Sequence, residues 1–159
     1  MGFSCPERGS YIIRPMRPED TAQIACIERD VYSTPWSEAS FCETLRYPYY
    51  RFLVAQPAGE PGTILGYCGF QQSFEEADIT NVTVLLSHRR KGIARTMLGQ
   101  LMDDGRERGV ERFTLEVRAS NEGAIRLYKS LGFYQEGLRR NFYDDPKEDA
   151  LILWTGMKS

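Results

Sequence analysis

Residues 76–101 have the sequence EADITNVTVLLSHRRKGIARTMLGQL. Polar and apolar residues alternate through its first half, which predicts a strand with one buried face. The second half carries apolar residues at helical spacing, which predicts an amphipathic helix: Ile93, Met97, Leu98, Leu101 and Met102. Gly109 is a typical residue for ending that helix. The segment therefore predicts a strand that runs directly into a helix, as in α/β proteins.

A basic turn, Arg89 to Arg95, joins this strand to this helix. Free backbone N–H groups and the positive end of the helix dipole favour an anion at such a junction. Gly92 lacks a Cβ, so phosphate oxygens can approach the backbone closely. The turn predicts a pyrophosphate site, although it matches neither a Walker loop nor Gly-x-Gly-x-x-Gly. A solvated basic turn at the start of a core helix explains the same residues equally well.

Composition excludes several classes of protein. The chain has 159 residues, 42% of them hydrophobic and 26% charged, with a net charge of −2. These values are typical of one globular domain, here residues 1–159, of which 1–9 are expected to form a flexible tail. The net charge argues against direct nucleic-acid binding, which needs a basic face. Apolar runs are too short to span a bilayer, so no membrane association is expected.

The cysteines and the single histidine argue against a metal site. Cys5, Cys26, Cys42 and Cys68 form no Cys-x-x-Cys pair, and His88 lies within the basic turn. A zinc cluster needs closely spaced ligands of these types, so no metal is expected. A domain of this length does not need disulfides, and reduced thiols in the cytoplasm are the simpler interpretation.

Turn and capping residues divide the chain into elements in the order βααβββαβαββ. This order predicts an α/β (α+β) fold, a mixed sheet of six to seven strands with helices on both faces. The predicted strands are residues 11–14, 51–56, 63–72, 76–85, 112–117, 133–143 and 149–156. The predicted helices are residues 18–31, 37–45, 93–108 and 122–131, with Ser37 and Asn121 as N-caps and Gly132 as a stop.

Two further residues suggest chemistry near the basic turn. Glu116 lies near the end of an otherwise apolar strand, and Tyr128 follows twelve residues later on the next helix. Without other information, Glu116 is more simply a surface or ion-pairing residue. Tyr128 is likewise more simply a core residue with a satisfied hydroxyl.

Two motifs in the second half of the chain match a known family. Arg89-x-x-Gly92-x-Ala94 resembles the acetyl-CoA signature of the GNAT N-acetyltransferases, and residues 121–133 resemble their second recurrent motif. The resemblance covers nearly the whole chain and implies the GNAT fold, with acetyl-CoA as cosubstrate. One departure is Leu85-Leu86, where the family often has Asp-Pro.

Longer matches resemble the RimI type, which acetylates the N-terminal amine of a ribosomal protein. They are residues 35–38, 115–121, 140–143 and 148–150. The resemblance implies Glu116 as general base and Tyr128 as general acid. It implies that three segments contact the cofactor. They are the strand residues Val82, Thr83 and Val84, the turn residues Arg89, Arg90, Lys91, Gly92, Ile93, Ala94 and Arg95, and Asn121 and Tyr128 of the second motif. It implies that the acceptor lies near Tyr32, Trp36, Arg139 and Tyr143.

The implied chemistry suits an α-amine. Its pKa is about 8 against about 10.4 for lysine, so a carboxylate suffices to take its proton at neutral pH. A phenol near the sulfur can protonate the departing thiolate. Acidic residues Asp144, Asp145, Glu148 and Asp149 predict attraction of a basic peptide, although a solvated hairpin tip explains them as well. A GNAT enzyme acting on lysine, a polyamine or another small amine stays open, as does a non-catalytic acyl-CoA-binding module. The sequence indicates no oligomeric state.

Overall fold

The computed structural model describes residues 10–156. The predicted flexible tail, residues 1–9, therefore lies outside the described residues. The strands are β1 (Tyr11–Pro15), β2 (Tyr50–Pro57), β3 (Gly66–Ser73), β4 (Glu76–Val84), β5 (Arg112–Arg118), β6 (Tyr134–Tyr143) and β7 (Glu148–Trp154). The α-helices are α1 (Thr21–Val31), α2 (Glu38–Thr44), α3 (Ile93–Glu107) and α4 (Glu122–Ser130).

The strands form one mixed sheet in the order β1-β2-β3-β4-β5-β7-β6. Its neighbouring pairs are antiparallel except β4 and β5, which are parallel. This parallel pairing covers only Glu76–Asp78 against Arg112–Thr114, so the two strands part beyond that point. The predicted mixed sheet and the predicted order βααβββαβαββ are confirmed.

Helices cover both faces of the sheet, as predicted. Alternation along β2 places Leu53 and Ala55 in one core, with the apolar stripe of α3 and with Tyr128 of α4. Phe52 and Val54 point to the opposite face, where they pack with residues of α1 and α2. The buried apolar residues of β4 and β5 belong to the core with α3, so this core holds both strands on that face of the sheet.

The predicted helix ends are confirmed by their hydrogen bonds and dihedral angles. Ser37 Oγ accepts the N–H of Ser40 at 3.1 Å and so caps α2. Asn121 Oδ1 accepts the N–H of Ala124 at 3.2 Å and so caps α4. Gly109 and Gly132, with φ of +91° and +100°, follow the ends of α3 and α4.

Two boundaries differ from the predictions by three residues, whereas the others agree within two. The strand predicted from residue 63 begins at Gly66, because the N–H of Ile64 donates to the side chain of Gln23 on α1, at 2.6 Å. The helix predicted from Pro18 begins with a 3-10 turn, Pro18–Asp20, and becomes α-helical at Thr21. Both shifts result from side-chain contacts and local turn geometry that residue patterns do not specify.

Candidate active site

A cavity of about 590 Å³ opens where β4 and β5 part. Its walls come from the end of α1 and the following loop, from β4, from β5, from α4 with its N-cap and from the β6–β7 turn. Seven of the residues singled out from the sequence meet in this lining: Tyr32, Trp36, Val82, Glu116, Asn121, Tyr128 and Tyr143. Residues from distant parts of the chain thus converge on one space, which is typical of a binding site.

Glu116 points into this cavity because of its position on β5. Its neighbours Leu115 and Val117 belong to the core with α3, so the alternation of the strand directs Glu116 to the other face. The carboxylate is 30% exposed, and its Oε2 atom lies 2.7 Å from Nε of Arg139 on β6. Arg139 was predicted to lie near the acceptor. It contacts Glu116 but is not part of the cavity wall.

A second carboxylate, Asp78, lies on β4 near Glu116. Burial raises the pKa of Asp78, and the negative charge of Glu116 raises it further, whereas Arg139 opposes both effects. The site therefore concentrates negative charge around Glu116, which favours a cationic amine.

Tyr128 is buried, with 8% of its surface exposed, and its ring packs against Phe133 at a centroid distance of 5.8 Å. Within residues 10–156 its hydroxyl has no hydrogen-bond partner, although it belongs to the cavity wall. Burial raises the pKa of Tyr128 well above its usual range. The phenol therefore stays protonated around neutral pH and can donate a proton.

Tyr143 closes the cavity from the end of β6. Burial raises the pKa of Tyr143 to about 12, with a further contribution from the charge of Glu116. The guanidinium of Arg118 lies 4.4 Å from the centre of the Tyr143 ring. Arg118 also donates to the backbone oxygens of Asp144 and Pro146, so it fixes the β6–β7 turn against the end of β5.

Hydrogen bonds tie the loop after α1 to β4 and to α1 itself. Tyr32 Oη donates to the carbonyl oxygen of Val82 at 3.1 Å and lies 2.8 Å from Oγ1 of Thr83. Burial of this hydroxyl raises the pKa of Tyr32. The N–H of Trp36 donates to Oε2 of Glu28 at 3.2 Å. The Trp36 ring packs against Phe41 and Phe52, so only part of it faces the cavity.

The basic turn follows the C-terminal end of β4, outside the cavity wall. Arg89 Nε donates to the carbonyl oxygen of Val84 at 2.9 Å, so this side chain folds back onto β4. Arg90 and Gly92 both adopt left-handed backbone conformations, with φ of +64° and +80°. Gly92 precedes α3, whose first N–H groups have no partner within the helix. The turn thus offers N–H groups and positive charge together, which suits a pyrophosphate.

The end of β4 combines these features into a site that fits a long, phosphate-bearing ligand. Beyond Asp78 the edge of β4 is no longer paired with β5, so its backbone is free to hydrogen-bond an extended amide chain. Thr83 and Val84 continue this edge towards the turn. The side-chain oxygen Oδ1 of Asn121 caps α4, so the side-chain nitrogen Nδ2 is left for the cavity. Leu85 and Leu86 occupy the positions where the family often has Asp-Pro. Leu85 packs against the core with α1, and Leu86 is 78% exposed.

Three residues of the cavity wall or its surroundings were missed in the sequence. Asp78 and Asn81 lie on β4, and Glu28 lies on α1 with 3% of its surface exposed. Glu28 had a detectable signal, since it interrupts the apolar stripe of α1 four residues after Ile24. Its Oε1 atom accepts the hydroxyl of Tyr67 on β3 at 2.6 Å. Asp78 fits the ordinary alternation of a strand and had no comparable signal. Asn81 is a polar residue at a position where the alternation of Ala77 and Ile79 would place a core residue.

Within residues 10–156 the cysteines form neither a disulfide nor part of a metal cluster. Cys26, Cys42 and Cys68 are free thiols, and Cys5 lies outside the described residues. Within residues 10–156 no group of three or more His, Cys, Asp or Glu side chains is arranged to hold a metal ion. In the same range, the α-helices are too short or too polar to cross a membrane.

Comparison with known proteins gives consistent matches. The sequence profile of the Acetyltransferase (GNAT) family matches residues 19–133. The chain is 36% identical over 143 residues to a putative ribosomal protein bS18-alanine N-acetyltransferase of Bacillus subtilis, covering 89% of this chain and 93% of that protein. It is 38% identical over 129 residues to the ribosomal protein bS18-alanine N-acetyltransferase of Escherichia coli K12, covering 80% and 84%. The crystal structure of the ribosomal-protein-S18-alanine N-acetyltransferase from Escherichia coli superposes with a TM-score of 0.81 at 32% identity, covering 94% of this chain and 95% of that one.

Proposed function

The chain belongs to the acetyltransferase (GNAT) family and is an acetyl-CoA-dependent N-acetyltransferase, and we propose that its acceptor is the N-terminal α-amine of a ribosomal protein. Two similar proteins, from Bacillus subtilis and Escherichia coli, carry the name of bS18-alanine N-acetyltransferases. The two alignments cover 89% and 80% of this chain. The proposal places the reaction in the cytoplasm, where ribosomal proteins are made, and takes residues 1–159 as one domain.

The observation that carries the proposal is the meeting of Glu116 and Tyr128 in one cavity, from two different elements. Glu116 takes a proton from the acceptor ammonium, directly or through one water. The neutral nitrogen then forms a bond to the thioester carbonyl carbon, and the carbon–sulfur bond breaks. The departing sulfur takes the proton of Tyr128, whose raised pKa keeps that proton available. As the amide forms, the nitrogen loses its second proton, which restores Tyr128, and Glu116 releases the first proton to solvent. Of the two protons that the ammonium loses, one thus leaves on the thiol of CoA and one enters solvent.

On the donor side, the unpaired edge of β4 at Val82, Thr83 and Val84 would hold the pantetheine arm. Backbone N–H groups of Arg90, Lys91, Gly92, Ile93, Ala94 and Arg95 would hold the pyrophosphate, with added positive charge from Arg89. The amide nitrogen of Asn121 would donate to the pantetheine arm near the sulfur. This arrangement directs the thioester into the gap between β4 and β5, where Glu116 lies.

On the acceptor side, Tyr32, Trp36 and Tyr143 would surround the first residues of the peptide, with Arg139 at the rim. The acidic β6–β7 turn, with Asp144, Asp145, Glu148 and Asp149, offers the peptide less negative charge than its sequence suggests. Glu148 is bound to Arg118 and to the N–H of Ser120, and Asp149 accepts the N–H of Asn141. Asp144 and Asp145 are exposed, so they are the two carboxylates that would attract a basic peptide.

A CoA-release assay tests the acceptor class. Peptides that begin with alanine are compared with the same peptides acetylated at the N-terminus, with free lysine and with a polyamine. We expect turnover only with free N-terminal peptides. Turnover of lysine or polyamine with inert peptides would contradict the proposal and support the small-amine alternative. Acetyl-CoA binding without turnover of any amine would support a non-catalytic module.

A further inference from the structure

Asn81 has a buried side-chain oxygen for which the described residues, 10–156, provide no hydrogen-bond donor. It lies on β4 in the part of the strand that has left β5, with 6% of its surface exposed. Its Oδ1 atom is buried and accepts no hydrogen bond from residues 10–156. The same side chain forms part of the cavity wall with Glu116 and Tyr128. Leaving a buried acceptor unpaired is unfavourable, so an unpaired acceptor in a cavity wall points to a donor that enters with a ligand.

An irregularity in the sheet directs this side chain into the cavity. Gly69 pairs with Asn81 and Phe70 pairs with Ile79, so Thr80 is an extra residue on β4. Ile79 packs in the core with α3, and after the bulge Val82 packs against that same core. The extra residue therefore shifts the alternation, and Asn81 faces the cavity wall instead of the core. Bulges next to active sites commonly redirect a side chain in this way.

The ligand that fits this atom must donate a hydrogen bond. An amide oxygen accepts and does not donate, and the acetyl thioester itself has no N–H to offer. The amide N–H groups of the pantetheine arm would pair with the backbone edge of β4. The acceptor amine has N–H groups and must come within reach of Glu116 in this cavity. We propose that Oδ1 of Asn81 accepts a hydrogen bond from the acceptor amine and holds its nitrogen beside the thioester; this inference rests on the proposed function.

The chemistry of an amide suits this role better than a second carboxylate does. Asn81 takes no proton, so it stays bound to the nitrogen after Glu116 has removed one. One N–H is then held by Asn81 while the lone pair is free to attack. Glu116 therefore removes the proton, and Asn81 orients the nitrogen lone pair towards the thioester.

Two substitutions test the role. Asn81→Leu keeps the size of the side chain and removes the acceptor, so kcat/KM for the amine should fall at least about tenfold, as for other hydrogen bonds to charged groups. The Kd for acetyl-CoA, measured by calorimetry, should stay within about twofold of wild type. Asn81→Asp adds a carboxylate that holds the amine protonated, so the acid side of the pH profile of kcat should move to higher pH.

Thr21→Val is the matched control for lost stability. Thr21 is 2% exposed, and its hydroxyl donates to the carbonyl oxygen of Pro18, away from the cavity. This variant should lower the thermal midpoint without changing the KM for the amine. It shows how much a lost buried hydrogen bond alone changes the kinetics.

The outcomes separate this inference from the proposed function. The assay uses whichever amine the full chain turns over fastest, so it does not depend on the acceptor being a protein. If peptides are inert but a small amine reacts, the proposed function fails while Asn81 can still be tested. Wild-type amine kinetics in folded Asn81→Leu would overturn the inference, as would a loss confined to acetyl-CoA binding.

Discussion

Arg139 Nε lies 2.7 Å from Oε2 of Glu116, so the carboxylate assigned as the general base is paired with a cation on β6. Arg139 is 56% exposed, and its guanidinium also lies 5.5 Å from the centre of the Phe142 ring. Arg139 partly neutralises the negative charge of Glu116, so Glu116 attracts an arriving ammonium group less strongly. Arg139 therefore sets how strongly the cavity attracts a cationic acceptor.

Replacing Arg139 by alanine should strengthen this attraction. In Arg139→Ala the carboxylates of Glu116 and Asp78 face the acceptor without the opposing charge. The KM for a cationic peptide should fall about two- to fivefold at low salt, and the difference should shrink as salt screens the field. Steady-state kinetics at two ionic strengths measure this effect. Arg140→Ala, an exposed neighbour, is the control; a higher KM in Arg139→Ala would mean that Arg139 binds the peptide directly.

Glu116→Gln should remove the proton acceptor while keeping the shape of the side chain. General bases contribute about 100-fold or more, so kcat should fall by roughly that factor. The Kd for acetyl-CoA should not change, because Glu116 lies on the acceptor side of the cavity. Calorimetry and CoA release measure the two quantities separately. Wild-type turnover in this variant would reassign the base, with Asp78 as the next carboxylate to test.

Tyr128→Phe should lower kcat by roughly a hundredfold because the departing thiolate loses its proton donor. The pKa of Tyr128 is raised by burial, so the protonated form persists above the pKa of about 10 of a free tyrosine. In the wild type, kcat should therefore not decline up to about pH 10. A pH–rate profile measures this, provided that the protein stays folded. A decline centred well below that pH would contradict the assignment of Tyr128 as the acid.

Gly92→Ala should weaken acetyl-CoA binding. Gly92 has φ of +80°, where a residue with a Cβ is strained by roughly 1–2 kcal/mol. Apart from Gly92 and its two chain neighbours, no atom of residues 10–156 lies within 4 Å of an added Cβ, so the effect comes from the backbone conformation and not from a clash. The Kd for acetyl-CoA should rise about tenfold. Calorimetry measures this Kd and, for comparison, the Kd of a CoA analogue that lacks the pyrophosphate. The binding of the analogue should change less.

Gly99→Ala provides the matched control for that prediction. Gly99 lies inside α3, and an added Cβ there also meets no atom within 4 Å. Alanine in a helix interior is more stable than glycine by about 0.5–1 kcal/mol, so this variant should unfold at a higher temperature. Its Kd for acetyl-CoA should equal that of the wild type. Equal losses of binding in both variants would place the effect in α3 as a whole.

The double variant Asp144→Asn, Asp145→Asn should reduce the salt dependence of peptide turnover. Asp145 has φ of +54°, a conformation that asparagine also tolerates, so the turn should keep its shape. The KM for a basic peptide should rise a few-fold at low salt and converge with wild type at high salt. Asp103→Asn, an exposed carboxylate on α3, is the control. An unchanged salt dependence would leave the two carboxylates as an ordinary hairpin tip.

Local signals in the sequence determined the order of the elements and most of their ends. Ser37 and Asn121 cap helices through bonds to residues three positions away, and Gly109 and Gly132 end helices through their own φ angles. Such interactions span only a few residues, so a pattern contains them. The family resemblance supplied acetyl-CoA and the pairing of Glu116 with Tyr128.

Only the tertiary structure decided what surrounds those residues. The bond between Arg139 and Glu116 joins two strands that lie on either side of β7, and the charge of Glu116 reaches Asp78 across the gap left by β4 and β5. Asn81 enters the cavity because one extra residue in β4 is opposed by none in β3. Each of these relationships depends on strand register and pairing between distant segments, and a single sequence does not specify either one.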